Sequence, residues 1–157
     1  MSSKKLSFQS NVLIKNRKAY HNFEILEELE AGLVLVGTEV KSLRMGKASL
    51  QEAYCRIQNE EIFLIGCHIP TYEKGTHENH DPLRKRKLLL HKHQIRRLSA
   101  KVQQQGLTIV PLKIYFRNGF AKVLIGLAKG KKLYDKREAL KKKESRRAME
   151  RVLKRRR

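Results

Sequence analysis

An Asn-Gly dipeptide at positions 118–119 separates two β-rich runs, residues 107–116 and 120–127. Both central residues of a two-residue hairpin turn need a positive φ angle, and Asn and Gly adopt it readily. The dipeptide therefore predicts an antiparallel hairpin and is the strongest short-range signal in the chain. A second hairpin is expected between the runs 53–58 and 62–69.

Short strands are also favoured in the rest of the first 128 residues. Runs of apolar and β-branched residues are interrupted by Gly or by polar clusters, which is typical of strands joined by turns. The predicted features are a strand at 23–29, a turn at Ala31-Gly32, strands at 33–36 and 38–44 with a bend at Gly37, a short helical turn at 49–52 and a polar loop at 73–82.

One helix is predicted after a short buried run at 88–90. Ile95, Leu98 and Val102 recur at steps of three and four residues, and Gly106 is a natural helix stop. About six strands with no alternation of strand and crossover helix favour a mainly β fold. A small antiparallel barrel is preferred because closure removes exposed strand edges. An open sheet with the helix on one face is the alternative.

Positive charge is concentrated in the C-terminal part. The chain has 36 Lys and Arg against 15 Asp and Glu, a net charge of +21. Residues 129–157 hold 15 basic and 4 acidic groups. This division predicts an RNA-binding β-barrel domain at 1–128 and a basic tail at 129–157, which we expect to be disordered until an anion neutralises it.

Nucleic acid is the expected partner of so basic a chain, because Lys and Arg release counterions from a phosphate backbone. No run approaches the roughly 20 apolar residues of a membrane-spanning helix, and residues 1–9 lack a signal peptide's apolar run. A cytoplasmic protein without membrane contact is therefore expected. Cys55 and Cys67 are expected to be free thiols. Self-repulsion favours a monomer.

Catalysis is not expected. Glu30 and Glu39 lie close in sequence to Lys41 and Arg44, and paired carboxylates can serve acid–base chemistry. They can equally be structural, with one pairing with Lys41 and the other accepting from a base amino group. No nucleophile, phosphate-cradling Gly loop or metal triad accompanies them. No cofactor is predicted.

Aromatic and histidine side chains lie among the basic residues. Tyr134 has basic neighbours and is expected to stack on a partner, whereas Tyr20 and Tyr72 are equally well explained as core-edge residues. The histidines between positions 68 and 93, with Cys67, lack the paired spacing of a zinc site. Solvated or RNA-contacting histidines are the preferred interpretation.

Several motifs, in order and at matching spacings, are shared with one known family. The chain resembles the small protein B family, the transfer-messenger-RNA-binding proteins of bacterial ribosome rescue, over essentially its whole length. The motifs are Asn16-Arg17-Lys18-Ala19-Tyr20-His21, Glu30-Ala31-Gly32, Gly37-Thr38-Glu39-Val40-Lys41-Ser42-Leu43-Arg44, His80-Asp81-Pro82, Arg86-Lys87-Leu88-Leu89-Leu90 and Gly130-Lys131-Lys132-Leu133-Tyr134-Asp135-Lys136-Arg137.

The resemblance implies a six-stranded antiparallel barrel of oligonucleotide-binding (OB) type with flanking helices. It implies that the barrel binds the tRNA-like domain of transfer-messenger RNA through Asn16, Glu30 and Leu89, supported by Lys18. The barrel would stand where a tRNA's anticodon arm stands. The tail would enter the empty mRNA channel of a stalled ribosome and become helical there.

The resemblance further assigns a ribosomal role to the start of the tail. The residues tied to accommodation in the decoding centre are Gly130, Lys131, Lys132, Asp135, Lys136 and Arg137, with Tyr134 as a base-stacking hypothesis. The elongation factor that delivers aminoacylated RNA is also implied as a partner. The alternative is a general basic RNA-binding or ribosomal protein that binds many RNAs equally.

Overall fold

The computed structural model describes residues 13–74 and 79–131. Within these ranges the chain forms seven strands and three helices. In chain order they are β1 (Ile14–Lys15), α1 (Arg17–Asn22), β2 (Phe23–Leu33), α2 (Gly37–Arg44), β3 (Tyr54–Gln58), β4 (Glu61–Ile65), β5 (Arg86–Leu89), α3 (Lys92–Gln105), β6 (Thr108–Arg117) and β7 (Phe120–Gly130).

The strands form one antiparallel sheet in the order β1-β6-β3-β4-β5-β2-β7, and β6 also pairs with β7. This last pairing closes the six strands β2 to β7 into a ring, and β1 adds two residues along β6. The prediction of a mainly β, six-stranded antiparallel barrel with flanking helices is confirmed, and the open-sheet alternative is wrong.

Both predicted hairpins form. The turn between β3 and β4 has φ angles of 53° at Asn59 and 61° at Glu60, and the turn between β6 and β7 has 53° at Asn118 and 80° at Gly119. Two successive positive φ angles match the right-handed twist of the paired strands. Local turn chemistry therefore sets the register of two of the six strand pairings in the ring.

The predicted helix also forms, as α3. Ile95 and Leu98 are buried, and Gly106 ends the helix in the left-handed conformation with φ 63°. Arg97 and Lys101 bind the Glu27 carboxylate on β2, at 2.9 Å and 3.3 Å from its Oε2. These contacts fix the exposed side of the helix to the barrel.

Residues 38–44 form helix α2, so the predicted strand is wrong. Glu39, Ser42 and Leu43 are buried on one side of the helix, at helical rather than alternating spacing. The Glu39 Oε1 atom also accepts the backbone N–H of Val36 at 2.9 Å, which satisfies a free donor at the helix start. Two of the three buried positions, Glu39 and Ser42, are polar, so the sequence shows no apolar face at helical spacing.

Three smaller predictions also need correction. β2 continues to Leu33 without a turn at 31–32, because it pairs with β7 and β5 through Gly32. Residues 49–52 contain a turn rather than a helical segment, and Ser49 forms an isolated bridge with His68. The strand predicted at 62–69 ends at Ile65, before Cys67, because the chain turns at Gly66 with φ 77°.

Candidate nucleic-acid interface

One row of side chains crosses four adjacent strands. Tyr115 on β6 opposes Lys122 on β7, Lys122 opposes Gly32 on β2, and Gly32 opposes Leu89 on β5. The row is about 15 Å wide, since neighbouring strands lie about 4.8 Å apart. Residues two positions away point to the same side. We call the whole surface the four-strand face: Tyr115, Lys122, Gly32 and Leu89 with Glu30, Arg117 and Phe120.

Glu30, on β2, binds two groups on β6, and β7 lies between these two strands. The Tyr115 hydroxyl donates to Oε2 at 2.5 Å, and the Arg117 Nη1 donates to Oε1 and Oε2 at 3.2 and 3.3 Å. The hydrogen bond from Tyr115, together with Arg117 and the charge of Lys122, lowers the pKa of Glu30 against the effect of burial. Burial and the same hydrogen bond raise the pKa of Tyr115 to about 12. Glu30 is therefore an anion at neutral pH, with cations around it.

Leu89 projects from the four-strand face with 55% of its surface exposed, so the expectation of a buried run at 88–90 is wrong for this residue. Gly32 lies beneath it: a Cβ atom on Gly32 would lie 3.1 Å from the Cβ of Leu89. An open cleft of about 380 Å³ adjoins the pair, lined by Glu30, Gly32, Leu89, Leu90, His91, Gln94 and Lys122. Glu30 and Leu89, assigned to RNA by resemblance, thus share one cleft.

Asn16 is buried and uses its side chain within the protein. Its Oδ1 accepts the Ala19 N–H at 3.2 Å, and its Nδ2 donates to the Pro111 carbonyl at 2.8 Å. The first contact caps α1, and the second fixes this helix to β6. Lys18, on the exposed side of α1, binds Glu52 at 3.1 Å. Asn16 therefore orients the helix that presents Lys18.

The two pairs of assigned residues lie at separate places. Asn16 and Lys18 line a second cleft, of about 240 Å³, which also includes Phe23 at the start of β2. Glu30 lies seven residues further along the same strand, which corresponds to roughly 20 Å. The structure brings Glu30 together with Leu89, and Asn16 together with Lys18, but it does not join the pairs.

The chain leaves the barrel beside the second cleft. β7 extends through Gly130, which pairs with Phe23, and the Lys131 N–H donates to the Asn22 carbonyl at 2.7 Å. Gly130 is thus attached to β2 and Lys131 to α1. These residues lie two and three positions beyond the domain boundary predicted after Ala128. The other tail residues with predicted roles, Lys132, Tyr134, Asp135, Lys136 and Arg137, lie outside the described residues.

A buried ion-pair network stabilises the region behind the four-strand face. Glu39 binds the Arg86 Nε at 2.5 Å and the Arg84 Nη2 at 2.6 Å, and both Glu39 and Arg86 are fully buried. Burial would raise the pKa of Glu39, but the Arg84 hydrogen bond, the Val36 N–H and the charge of Arg86 together lower it. The expected pairing of a carboxylate here with Lys41 is wrong. No sequence pattern indicated Arg84 and Arg86 as its partners.

Histidine and tyrosine side chains have mixed roles. His80 is buried between the Thr38 hydroxyl and the Ile69 carbonyl, both at 2.8 Å. Tyr72 is partly buried, with the Lys41 Nζ 5.5 Å from its ring centre, whereas Tyr20 is exposed. Within residues 13–74 and 79–131, no cluster of three or more His, Cys, Asp or Glu could hold a metal ion. In the same part of the chain, no helix could span a membrane.

Sequence reasoning missed Tyr115, Arg117, Lys122 and Phe120. A usable signal was present on β6, where Tyr115 and Arg117 alternate with the buried Ile114 and Phe116. Such alternation predicts that the polar members share an outer face. That Glu30 binds them could not be predicted, because the contact joins strands distant in sequence.

Comparison with known proteins gives consistent matches. The family model described as SmpB protein matches residues 13–155. An SsrA-binding protein of Syntrophobacter fumaroxidans is 53% identical over 95% of this chain and 92% of its own length. One of Shouchella clausii is 55% identical, over 94% of this chain and 95% of its own. A chain in a solved structure described as "tmRNA-SmpB: a journey to the center of the bacterial ribosome" is 57% identical, with a TM-score of 0.65 over 77% of this chain and 85% of that one.

Proposed function

The chain belongs to the SmpB protein family, and from this premise we propose that it binds transfer-messenger RNA and acts with it on the bacterial ribosome in trans-translation. The relatives are SsrA-binding proteins, and the similar solved structure is that of tmRNA-SmpB and the bacterial ribosome. The protein is a binding partner of RNA in this proposal, not an enzyme. Its location is the cytoplasm, and it acts as a monomer.

The shared cleft of Glu30 and Leu89 carries the proposal for the barrel. The exposed Leu89 offers apolar contact to an RNA base. The polar groups beside it can bind the edge of that base, and the neighbouring Lys and Arg side chains can bind phosphates. A general RNA-binding surface has no use for a carboxylate at its centre. The tRNA-like domain is the ligand of this cleft, and the barrel takes the place of an anticodon arm.

The end of the barrel near α1 is a second part of the surface for transfer-messenger RNA in the same proposal, and the ribosomal tail begins beside it. Asn16 orients α1 and Lys18, while the attachment of Lys131 to Asn22 sets the direction in which the tail begins. The tail probes the empty mRNA channel and becomes helical there, and the elongation factor delivers the complex. The tail residues with a role at the decoding centre are Gly130, Lys131, Lys132, Tyr134, Asp135, Lys136 and Arg137.

Two exposed leucines allow a matched test of the RNA site. Leu89 is 55% exposed in the cleft, and Leu83 is 57% exposed in a turn after the loop. Binding of the full chain to the tRNA-like domain is measured near physiological salt, with tRNA and an unrelated structured RNA of equal length as competitors. Leu89→Ala is expected to weaken binding about tenfold, or about 1.4 kcal/mol. Leu83→Ala should leave the binding constant within about twofold.

The competitors separate the proposal from the alternative of a general basic RNA-binding protein. Preference for the tRNA-like domain that decreases in Leu89→Ala supports a specific site. Equal binding of all three RNAs, unaffected by Leu89→Ala, would mean that charge alone drives association.

A further inference from the structure

Phe120 is the most exposed large apolar side chain in the described residues, with 70% of its surface accessible. It lies at the tip of the β6–β7 hairpin, directly opposite Arg117. A single exposed apolar residue is common on protein surfaces and by itself indicates nothing. The neighbours of Phe120 on the four-strand face provide the stronger argument.

Arg117 is exposed and forms an ion pair with Glu30. Its Nη1 contacts both carboxylate oxygens of Glu30, which in turn accepts the Tyr115 hydroxyl. A guanidinium has five N–H donors, and Glu30 is contacted through one nitrogen only. The other guanidinium nitrogens of Arg117 make no contact with Glu30 and can donate to a phosphate.

The aromatic ring and the oriented guanidinium lie on the same outer side of the barrel. Arg117 and Phe120 are cross-strand partners, so their Cβ atoms are about 5 Å apart. Lys122 is two residues from Phe120 on the same side and lines the Glu30–Leu89 cleft. Leu89 and Phe120 thus lie two strands and two residues apart on one surface, roughly 12 Å from each other.

We propose that Phe120 and Arg117 form a second RNA contact on the four-strand face, in which Phe120 stacks on an unpaired base and Arg117 binds an adjoining phosphate. Glu30 is a positioning residue for this contact, since its ion pair draws the Arg117 guanidinium from Phe120 toward the Glu30–Leu89 cleft. The inference rests on the proposed function, because it extends the same RNA site from the cleft to the hairpin tip.

Stacking requires a flat ring, which gives a graded test at Phe120. With the full chain and the same tRNA-like domain, Phe120→Ala and Phe120→Leu are both expected to weaken binding about fivefold to tenfold. Phe120→Trp should bind as well as the wild type. Because the ring is exposed, thermal unfolding of these variants should remain unchanged. If Leu substitutes for Phe without loss, or Ala does, the stacking role is wrong.

Salt dependence and a double-mutant cycle test Arg117 and Glu30. Arg117→Ala should reduce the slope of log affinity against log salt by about one, as expected for one lost phosphate contact. Glu30→Gln should weaken binding by a smaller factor in Arg117→Ala than in the otherwise wild-type protein, because part of its effect is exerted through Arg117. Additive losses would show that Glu30 acts independently of Arg117 and would refute the positioning role.

Leu89→Ala in the same series separates this inference from the function on which it rests. Loss of binding in Leu89→Ala with wild-type affinity in Phe120→Ala refutes the hairpin contact alone. A wild-type protein with no preference for the tRNA-like domain refutes the proposed function, and the hairpin contact with it.

Discussion

Replacement of Glu39 by Gln should strongly destabilise the barrel. The carboxylate is fully buried and binds Arg84, the buried Arg86 and the Val36 N–H. Gln has the same size, so the change removes the charge and leaves little cavity. Arg86 then keeps a buried positive charge with no carboxylate beside it, supported by the neutral carbonyls of Cys67, Pro82 and the new amide.

The structure sets the size of this effect. Removal of one partner from a buried ion pair costs about 3–5 kcal/mol, because the remaining charge is uncompensated. A domain of this size has a free energy of unfolding of about 5–15 kcal/mol, so the loss is about a fifth of the total or more. Arg84 is partly exposed and can regain water, which favours the lower half of the range.

Equilibrium urea unfolding of the full chain measures the effect. The urea concentration at the unfolding midpoint should be lower in Glu39→Gln than in the wild type. The slope of the free energy of unfolding against urea should be unchanged, which indicates lost stability rather than a different unfolded state. Glu73→Gln is the control, since its ion pair with Lys47 is exposed, with N–O at 3.8 Å, and should change stability by less than about 0.5 kcal/mol. A loss below about 1 kcal/mol in Glu39→Gln would refute the assigned role of the network.

Three further predictions concern the same framework. Folding lowers the pKa of Glu39 from its ordinary value of 4.5. The ionised carboxylate therefore stabilises the fold fully above pH 4.5, and this stabilisation is lost as the pH falls through the lower pKa of the folded state. Acid unfolding monitored by circular dichroism should therefore be less pH-dependent in Glu39→Gln between about pH 5 and pH 3. Gly66→Ala should destabilise by at least about 2 kcal/mol in thermal unfolding, since φ is 77° and a Cβ would lie 2.7 Å from a backbone oxygen, whereas Gly37→Ala meets no atom within 4 Å and should be neutral. Asn16→Ala should cost about 2 kcal/mol and speed amide exchange in α1, through loss of the cap and of the contact with Pro111; unchanged exchange at Ala19 would contradict the capping role.

Local patterns predicted the parts of the fold that local chemistry determines. The Asn-Gly turn set one hairpin, and the spacing of Ile95 and Leu98 with the Gly106 stop set α3. Helix α2 was missed because one of its buried positions is Glu39, whose burial depends on Arg84 and Arg86 much later in the chain. A polar residue in the core breaks the pattern from which a helical face is recognised.

The candidate site was predictable only in part. The family resemblance supplied Glu30 and Leu89, and the structure joins them through Gly32, a pairing of β2 with β5 that no local pattern reveals. Tyr115 and Arg117 follow a detectable alternation, but their binding to Glu30 requires the closed barrel. Asn16 was assigned to RNA, yet its side chain faces Ala19 and Pro111, so its role in the fold depends on tertiary contacts.

The strand ring is unevenly closed. β3 and β6 meet through a single residue pair, Cys55 with Ile109, whereas β2 and β7 pair along almost their whole length. A seam with so few backbone hydrogen bonds is where a barrel opens first in native-state fluctuations. On the other side of β6, the long pairings of β6 with β7 and of β7 with β2 keep Tyr115, Lys122 and Glu30 in register when this seam opens. β5, which carries Leu89, pairs with β2 through two residues only. The β6–β7–β2 part of the RNA surface is thus preorganised, and association should spend little free energy on ordering it. The β5 edge with Leu89 is the part of the surface that RNA binding would hold in place.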